Sequence, residues 1–101
     1  MQWLAERASR LAVMAKGLAD ENRLRIFLCV ALGPKSVSRV VEEVALSQPL
    51  VSHHLKELRR SGLVKVERKG PFVYYQAAGP QVTQVLAALA ELDRQRDQTY
   101  T

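Results

Sequence analysis

Cysteine is nearly absent from this chain: Cys29 stands alone among 101 residues. One thiol forms no intrachain disulfide, and it excludes any metal cluster that takes two or more thiolates from a single chain. Histidine is almost as scarce. His53 and His54 are adjacent, so on a helix they point about 100° apart, whereas joint ligation calls for i and i+4 spacing. No strained turn or glycine-rich loop presents Cys29, Ser52, His53 or Asp20 as a nucleophile, which argues against an enzyme. No apolar run is long enough to span a bilayer, and Met1 to Lys16 carries Glu6, Arg7 and Arg10 among its apolar residues, unlike a cleavable leader. A cytoplasmic protein without a membrane partner is expected. Internal repeats and low-complexity linkers are missing too, and the length suits one domain, 1–101.

The lone thiol sits in Phe27-Leu28-Cys29-Val30-Ala31, with Arg25, four residues earlier, as its nearest cation. Apolar surroundings raise a thiol's pKa and leave it inert, so a buried core cysteine is expected.

What is present is concentrated between Leu46 and Tyr75. Ser47 is a good N-cap and Pro49 sits where its missing donor costs little, so a helix begins there. At about 100° per residue Val51, Leu55 and Leu58 share one stripe. His53 and Arg60 lie nearly opposite it, Pro49, Lys56 and Glu57 also face outward, and Gln48, Ser52 and Arg59 flank it. Gly62, after Ser61, is a left-handed stop. Gln48, Ser52 and His53 are short polar groups suited to base edges, while Lys56, Arg59 and Arg60 suit phosphates.

After the stop, Leu63 to Arg68 alternates apolar and polar residues, Lys69-Gly70-Pro71 breaks the pattern, and Phe72 to Gln76 is again aromatic and β-branched. That pattern predicts a hairpin. Between Ser47 and Gly70 six basic residues (Lys56, Arg59, Arg60, Lys65, Arg68, Lys69) face two acidic ones (Glu57, Glu67), so +4 of the chain's net +5 falls in this stretch. Positive charge localised in this way is the footprint of a nucleic-acid partner, with Arg68 and Lys69 reaching the backbone of a duplex. The competing expectations are an ordinary solvated helix face, and a hairpin that contacts another protein with its charge incidental.

Helical spacing organises the rest. Leu4, Ala8, Leu11, Ala15 and Leu18 predict one first helix that stops near Gly17 to Asp20. Asp20 caps a second, whose Ile26 to Leu32 is apolar on every side and is therefore expected to be surrounded by other elements. Gly33-Pro34 ends it. Ser36 caps a third helix with Val37, Val40, Val41 and Val44 inward and Arg39, Glu42 and Glu43 outside; with the helix from Ser47 it makes a helix-turn-helix pair. Pro80 opens a last helix with Val82, Val85, Leu86, Leu89 and Leu92 along one side, before a polar tail from Asp93 that is expected to fray. The fold class is mainly α with a small β-hairpin, in the order α-α-α-α-β-β-α.

Leu18-Ala19-Asp20-Glu21-Asn22-Arg23-Leu24-Arg25-Ile26, then Leu46-Ser47-Gln48, Val51-Ser52-His53-His54-Leu55 to Leu58, Ser61-Gly62-Leu63-Val64 and Val73-Tyr74-Tyr75 follow one another in register. The chain thereby resembles the ArsR/SmtB family of winged helix-turn-helix repressors. The resemblance implies sequence-specific binding of double-stranded operator DNA by a homodimer, usually with repression that a metal, metalloid or other signal relieves. It also assigns a use to the surplus apolar stripes of the terminal helices, with Leu4, Leu11, Val82, Val85, Leu86, Leu89 and Leu92 as dimer residues; the alternative is that both helices pack on their own domain.

The chain departs from the family at the metal sites. Where metal-responsive members carry a Cys-x-Cys box at the start of the third helix, this chain has Ser36-Val37-Ser38, and hydroxyls are poor ligands for soft metals or trivalent arsenic. The last helix, from Gln81 to Arg96, has no histidine to complete the alternative set of Asp, His and Glu ligands. No metal and no cofactor is expected, and a small-molecule or protein effector is left open.

Overall fold

The N-terminal segment is helical but not one helix. The computed structural model describes residues 1–100, with side chains through Asp97. In it the chain forms α1 (Gln2–Glu6) and α2 (Ala8–Gly17), separated at Arg7. The expected continuous helix is interrupted here, where the Arg7 guanidinium lies over the Trp3 ring at 5.0 Å and donates to the Trp3 carbonyl at 3.3 Å, the acceptor an α-helix would give to the Arg7 amide. That amide bonds the Leu4 carbonyl at 3.1 Å instead, and the turn tightens.

Three side-chain caps start the next three helices where expected. Asp20 Oδ2 accepts from the Arg23 amide at 2.9 Å, Ser36 Oγ from Arg39 at 3.2 Å and Ser47 Oγ from Leu50 at 3.4 Å. Each satisfies one amide that a helix start leaves over, an interaction typically worth about 1 kcal/mol. They open α3 (Glu21–Ala31), α4 (Val37–Val44) and α5 (Gln48–Arg60). Between α4 and α5 the turn passes through Ala45 in a left-handed conformation, φ 58°, which a residue with a Cβ adopts at a cost of about 1 kcal/mol.

Beyond α5, Gly62 takes the left-handed conformation, φ 77°, and the chain reverses into β1 (Val64–Lys69) and β2 (Phe72–Ala77). The strands pair antiparallel from Val64↔Ala77 at the base to Lys69↔Phe72 at the tip. Tyr75 of β2 also exchanges two backbone hydrogen bonds with Lys35, 2.8 and 2.9 Å, pinning the hairpin to the turn before α4. The final helix is α6 (Gln81–Tyr100).

The core lies where α3, α4 and α5 meet the base of the hairpin. Ile26, Phe27, Val40, Val51, Leu55 and Leu58 are fully buried, joined by Val30, Val44, Leu63, Val64 and Cys29. The helix-turn-helix followed by a hairpin wing is the architecture expected from the sequence. Two further expectations need correction. Leu28 and Leu32 are exposed, so α3 is not enclosed on every side: α4, α5 and β2 cover only part of its circumference, and Leu32 lies past its end. The helix after Pro80 continues past Asp93 to Tyr100, with Arg94 pairing Glu91 at 3.1 Å and Arg96 pairing Asp93 at 3.2 Å along its side. Among the described residues no helix is long and apolar enough to cross a membrane.

Candidate nucleic-acid interface

Burial divides α5 into the two faces its sequence implies. Val51, Leu55 and Leu58 have no exposed surface, whereas Gln48, Pro49, His53, Lys56, Arg59 and Arg60 are exposed, with Ser47 just ahead of the first turn and Ser52 partly open. Short polar groups thus occupy the N-terminal half of the outer face and cations the C-terminal half. Arg60 is held by its own helix, donating to Glu57 at 2.9 Å, so it is less free to reach a phosphate than Lys56 or Arg59.

The hairpin register fixes which wing residues share a face. Directly opposed residues lie on the same side of a ribbon, so Val64, Ala77, Val66, Tyr75, Arg68 and Val73 form the inner side and Lys65, Gln76, Glu67, Tyr74, Lys69 and Phe72 the outer. The inner side packs on the core only at its base, through Val64, Tyr75 and Ala77. Arg68 and Lys69 are exposed near the tip on opposite sides of the ribbon. Lys69 keeps a loose pairing with Glu67 at 3.9 Å.

Behind the outer face of α5 lies a polar support that the sequence did not disclose. His54, next to exposed His53, is buried, and its Nδ1 accepts from Arg23 Nε at 3.2 Å while Nε2 lies 3.8 Å from Asp20 Oδ2. Burial, then the neighbouring Arg23 cation, holds its pKa below the ordinary value, with Asp20 opposing. Arg25 donates to the Val44 carbonyl at 2.9 Å, tying α3 to the end of α4 just before the Ala45 turn. Arg23 and Arg25 both fall within the segment that resembles the family, which was the only sequence signal for them.

Cys29 is buried, as expected, but not in purely apolar surroundings. Its thiol donates to Glu43 Oε2 at 2.9 Å, and Lys35 pairs with the same carboxylate at 3.3 Å while bonding the Cys29 carbonyl. Burial and the carboxylate push the thiol up to about 11. The hydrogen bond from the thiol, with Lys35 and Arg39 nearby, holds the Glu43 carboxyl below its ordinary range. A protonated thiol bonded to a carboxylate is a poor metal ligand. At the start of α4, Ser36 spends its hydroxyl on capping the helix and Ser38 is exposed. Among the described residues no three His, Cys, Asp or Glu side chains gather as a metal site.

The seven apolar residues of the terminal helices divide. Val82 and Leu86 turn partly into the protein's own core, while Leu4, Leu11, Val85, Leu89 and Leu92 are exposed. Trp3, Val13 and Met14 extend the open apolar surface of α1 and α2.

Comparison with known proteins matches this architecture. The model of the bacterial regulatory protein arsR family matches residues 20–66, from the Asp20 cap to mid β1. An uncharacterized HTH-type transcriptional regulator of Methanocaldococcus jannaschii is 30% identical over 88 residues, 86% of this chain and 99% of that protein. The transcriptional activator HlyU of Vibrio cholerae is 32% identical over 99 residues, covering 97% and 91%. The solution structure of the homodimeric winged helix-turn-helix DNA-binding domain Mb0332 from Mycobacterium bovis, a possible ArsR-family regulator, superposes with a TM-score of 0.80 at 27% identity, covering 90% of this chain and 84% of that one. The chain belongs to the ArsR/SmtB family of winged helix-turn-helix transcriptional regulators, not to an enzyme family.

Proposed function

We propose that this protein is a sequence-specific regulator of transcription that binds double-stranded operator DNA as a homodimer in the cytoplasm, as a single domain whose N- and C-terminal helices form the dimer seam. The carrying observation is the outer face of α5, where Gln48, Ser52 and His53 precede Lys56 and Arg59 while Val51, Leu55 and Leu58 anchor the helix from behind. A helix presented in this way enters a major groove, its polar first half against base edges and its cations against phosphates. Arg68 and Lys69 extend the cationic surface along the wing, and Ser47, Pro49 and Arg60 border it.

Pairing is supported by the exposed Leu4, Leu11, Val85, Leu89 and Leu92, which one copy leaves uncovered, and by the homodimeric state named for the Mycobacterium bovis neighbour. Two linked modules bind a two-fold site at high effective concentration. The output is repression by promoter occupancy, and no metal site enters the reading; an effector, if one acts, is a small molecule or protein. Selection of bound fragments from genomic DNA at near-physiological salt tests the proposal. Enrichment of a two-fold symmetric site is expected. Retention of no sequence over random DNA would overturn it and leave the wing as a protein-contact element.

A further inference from the structure

Apolar packing holds α5 against the domain without fixing its pose. Val51, Leu55 and Leu58 join Ile26, Phe27 and Val30 of α3 in one core. Burial of this kind is non-directional, and packed helices scatter by about 15–20° in crossing angle. A swing of about 15° moves either end of the 13-residue α5 by about 2–3 Å, whereas a side chain that reads a base edge has to be held within about 0.5 Å. Directional ties are needed, and α3 supplies two. Arg25 Nη2 donates at 2.9 Å to the carbonyl of Val44, the last residue of α4, where a helix end leaves carbonyls without helical partners. Arg23 Nε donates at 3.2 Å to Nδ1 of His54, the middle residue of α5. Between the two ties runs the turn Ala45-Leu46-Ser47, with Ala45 left-handed at φ 58°. A residue with a Cβ keeps that conformation only where its surroundings over-determine it.

We infer that Arg23 and Arg25 are positioning residues for sequence discrimination: from α3 they fix the angle of α5 to α4 on either side of the Ala45 turn, and so decide whether Gln48 and Ser52 meet base edges. Resting on the DNA-binding reading above, this adds to it two residues that touch no base. Gln48 and Ser52 lie between the Val44 and His54 ties, Gln48 at the end of the helix that a swing displaces most. Lys56 and Arg59 are less exacting, because charge on a long flexible stem acts over about 8 Å at physiological salt and follows a shifted helix. Loss of a tie therefore weakens the specific site and spares random DNA.

The test is binding of Arg23→Met and Arg25→Met to a duplex recovered in the selection above and to a random duplex of equal length, read by anisotropy of the labelled DNA. Each variant should lower the ratio of specific to random affinity about tenfold, with random affinity and salt slope nearly unchanged and the circular dichroism of wild type. Arg25→Lys, whose ammonium can still donate to the Val44 carbonyl, should recover most of the ratio. Equal losses on both DNAs with a shallower salt slope would overturn the inference and make the arginines phosphate contacts. An unchanged ratio would overturn it and leave the DNA-binding reading standing, and Met variants that lose their helical signal would overturn it by showing that the ties serve the fold alone. A wild-type chain that prefers no sequence defeats both readings.

Discussion

Arg23 of α3 and His54 of α5 share a hydrogen bond of 3.2 Å, Nε to Nδ1, across 31 positions of sequence. Because Nδ1 accepts, the imidazole is neutral, with its own proton on Nε2 facing Asp20. Asp20 is also the cap of α3, so one carboxylate stands at the start of the supporting helix and beside the ring that anchors the reading helix.

This latch has a pH signature. Burial and Arg23 lower the folded-state pKa of His54 below its ordinary 6.5, so below that pH the unfolded chain binds a proton more readily than the folded one. The latch's contribution is complete above about pH 6.5 and is lost as pH falls from there through the folded-state value. Thermal midpoints measured from pH 7.5 to 5 should decline in wild type and decline less in His54→Gln, which should itself cost about 1–3 kcal/mol at neutral pH through the disturbed partner. Parallel pH profiles for the two proteins would count against the latch.

Binding to DNA should weaken steeply with salt. Log affinity should fall by about 0.9 per contacted phosphate for each unit of log salt, and Lys56→Ala, Arg59→Ala, Arg68→Ala or Lys69→Ala should each reduce affinity and slope on any sequence. Gln48→Ala and Ser52→Ala should instead weaken the selected site by about 1–3 kcal/mol while sparing random DNA. Equal losses on both DNAs would show that these side chains do not read bases.

Leu11 and Leu89 are 42% and 55% exposed in the single chain, so a charge at either position meets water unless a second copy covers it. Leu11→Arg and Leu89→Arg should therefore give folded monomers, since a charge in a desolvated apolar seam costs several kcal/mol. Sedimentation at tens of micromolar decides the matter, with wild type expected as a dimer; a monomeric wild type would remove the paired-operator account.

Stoichiometric zinc, cadmium or trivalent arsenic should leave operator affinity unchanged, and Cys29→Ser should bind DNA like wild type. The thiol, protonated up to about 11 and bonded to Glu43, should also alkylate slowly at pH 8 and faster as pH rises toward that value. A metal-induced loss of binding that vanishes in Cys29→Ser would point to a site shared between two protomers.

What the sequence by itself determined was local. Asp20, Ser36 and Ser47 cap their helices because a short polar side chain reaches an amide three residues away, whatever surrounds it. The stripe of Val51, Leu55 and Leu58 followed from helical period alone, and the hairpin from alternation around Gly70-Pro71. Tertiary structure decided whatever depends on residues distant in sequence. Periodicity sets His53 nearly opposite the buried stripe and His54 beside it, but only the fold brings Arg23 and Asp20 to His54 as partners for a buried ring. Cys29 was legible as buried, yet its carboxylate partner lies 14 positions away on α4. The apolar composition of α3 could not show that its neighbours leave Leu28 open, and the split of the terminal stripes into inward Val82 and Leu86 and exposed Val85, Leu89 and Leu92 depends on where α6 meets the core. Composition and period specify which side chains need cover; only the packed arrangement of elements specifies which of them receive it.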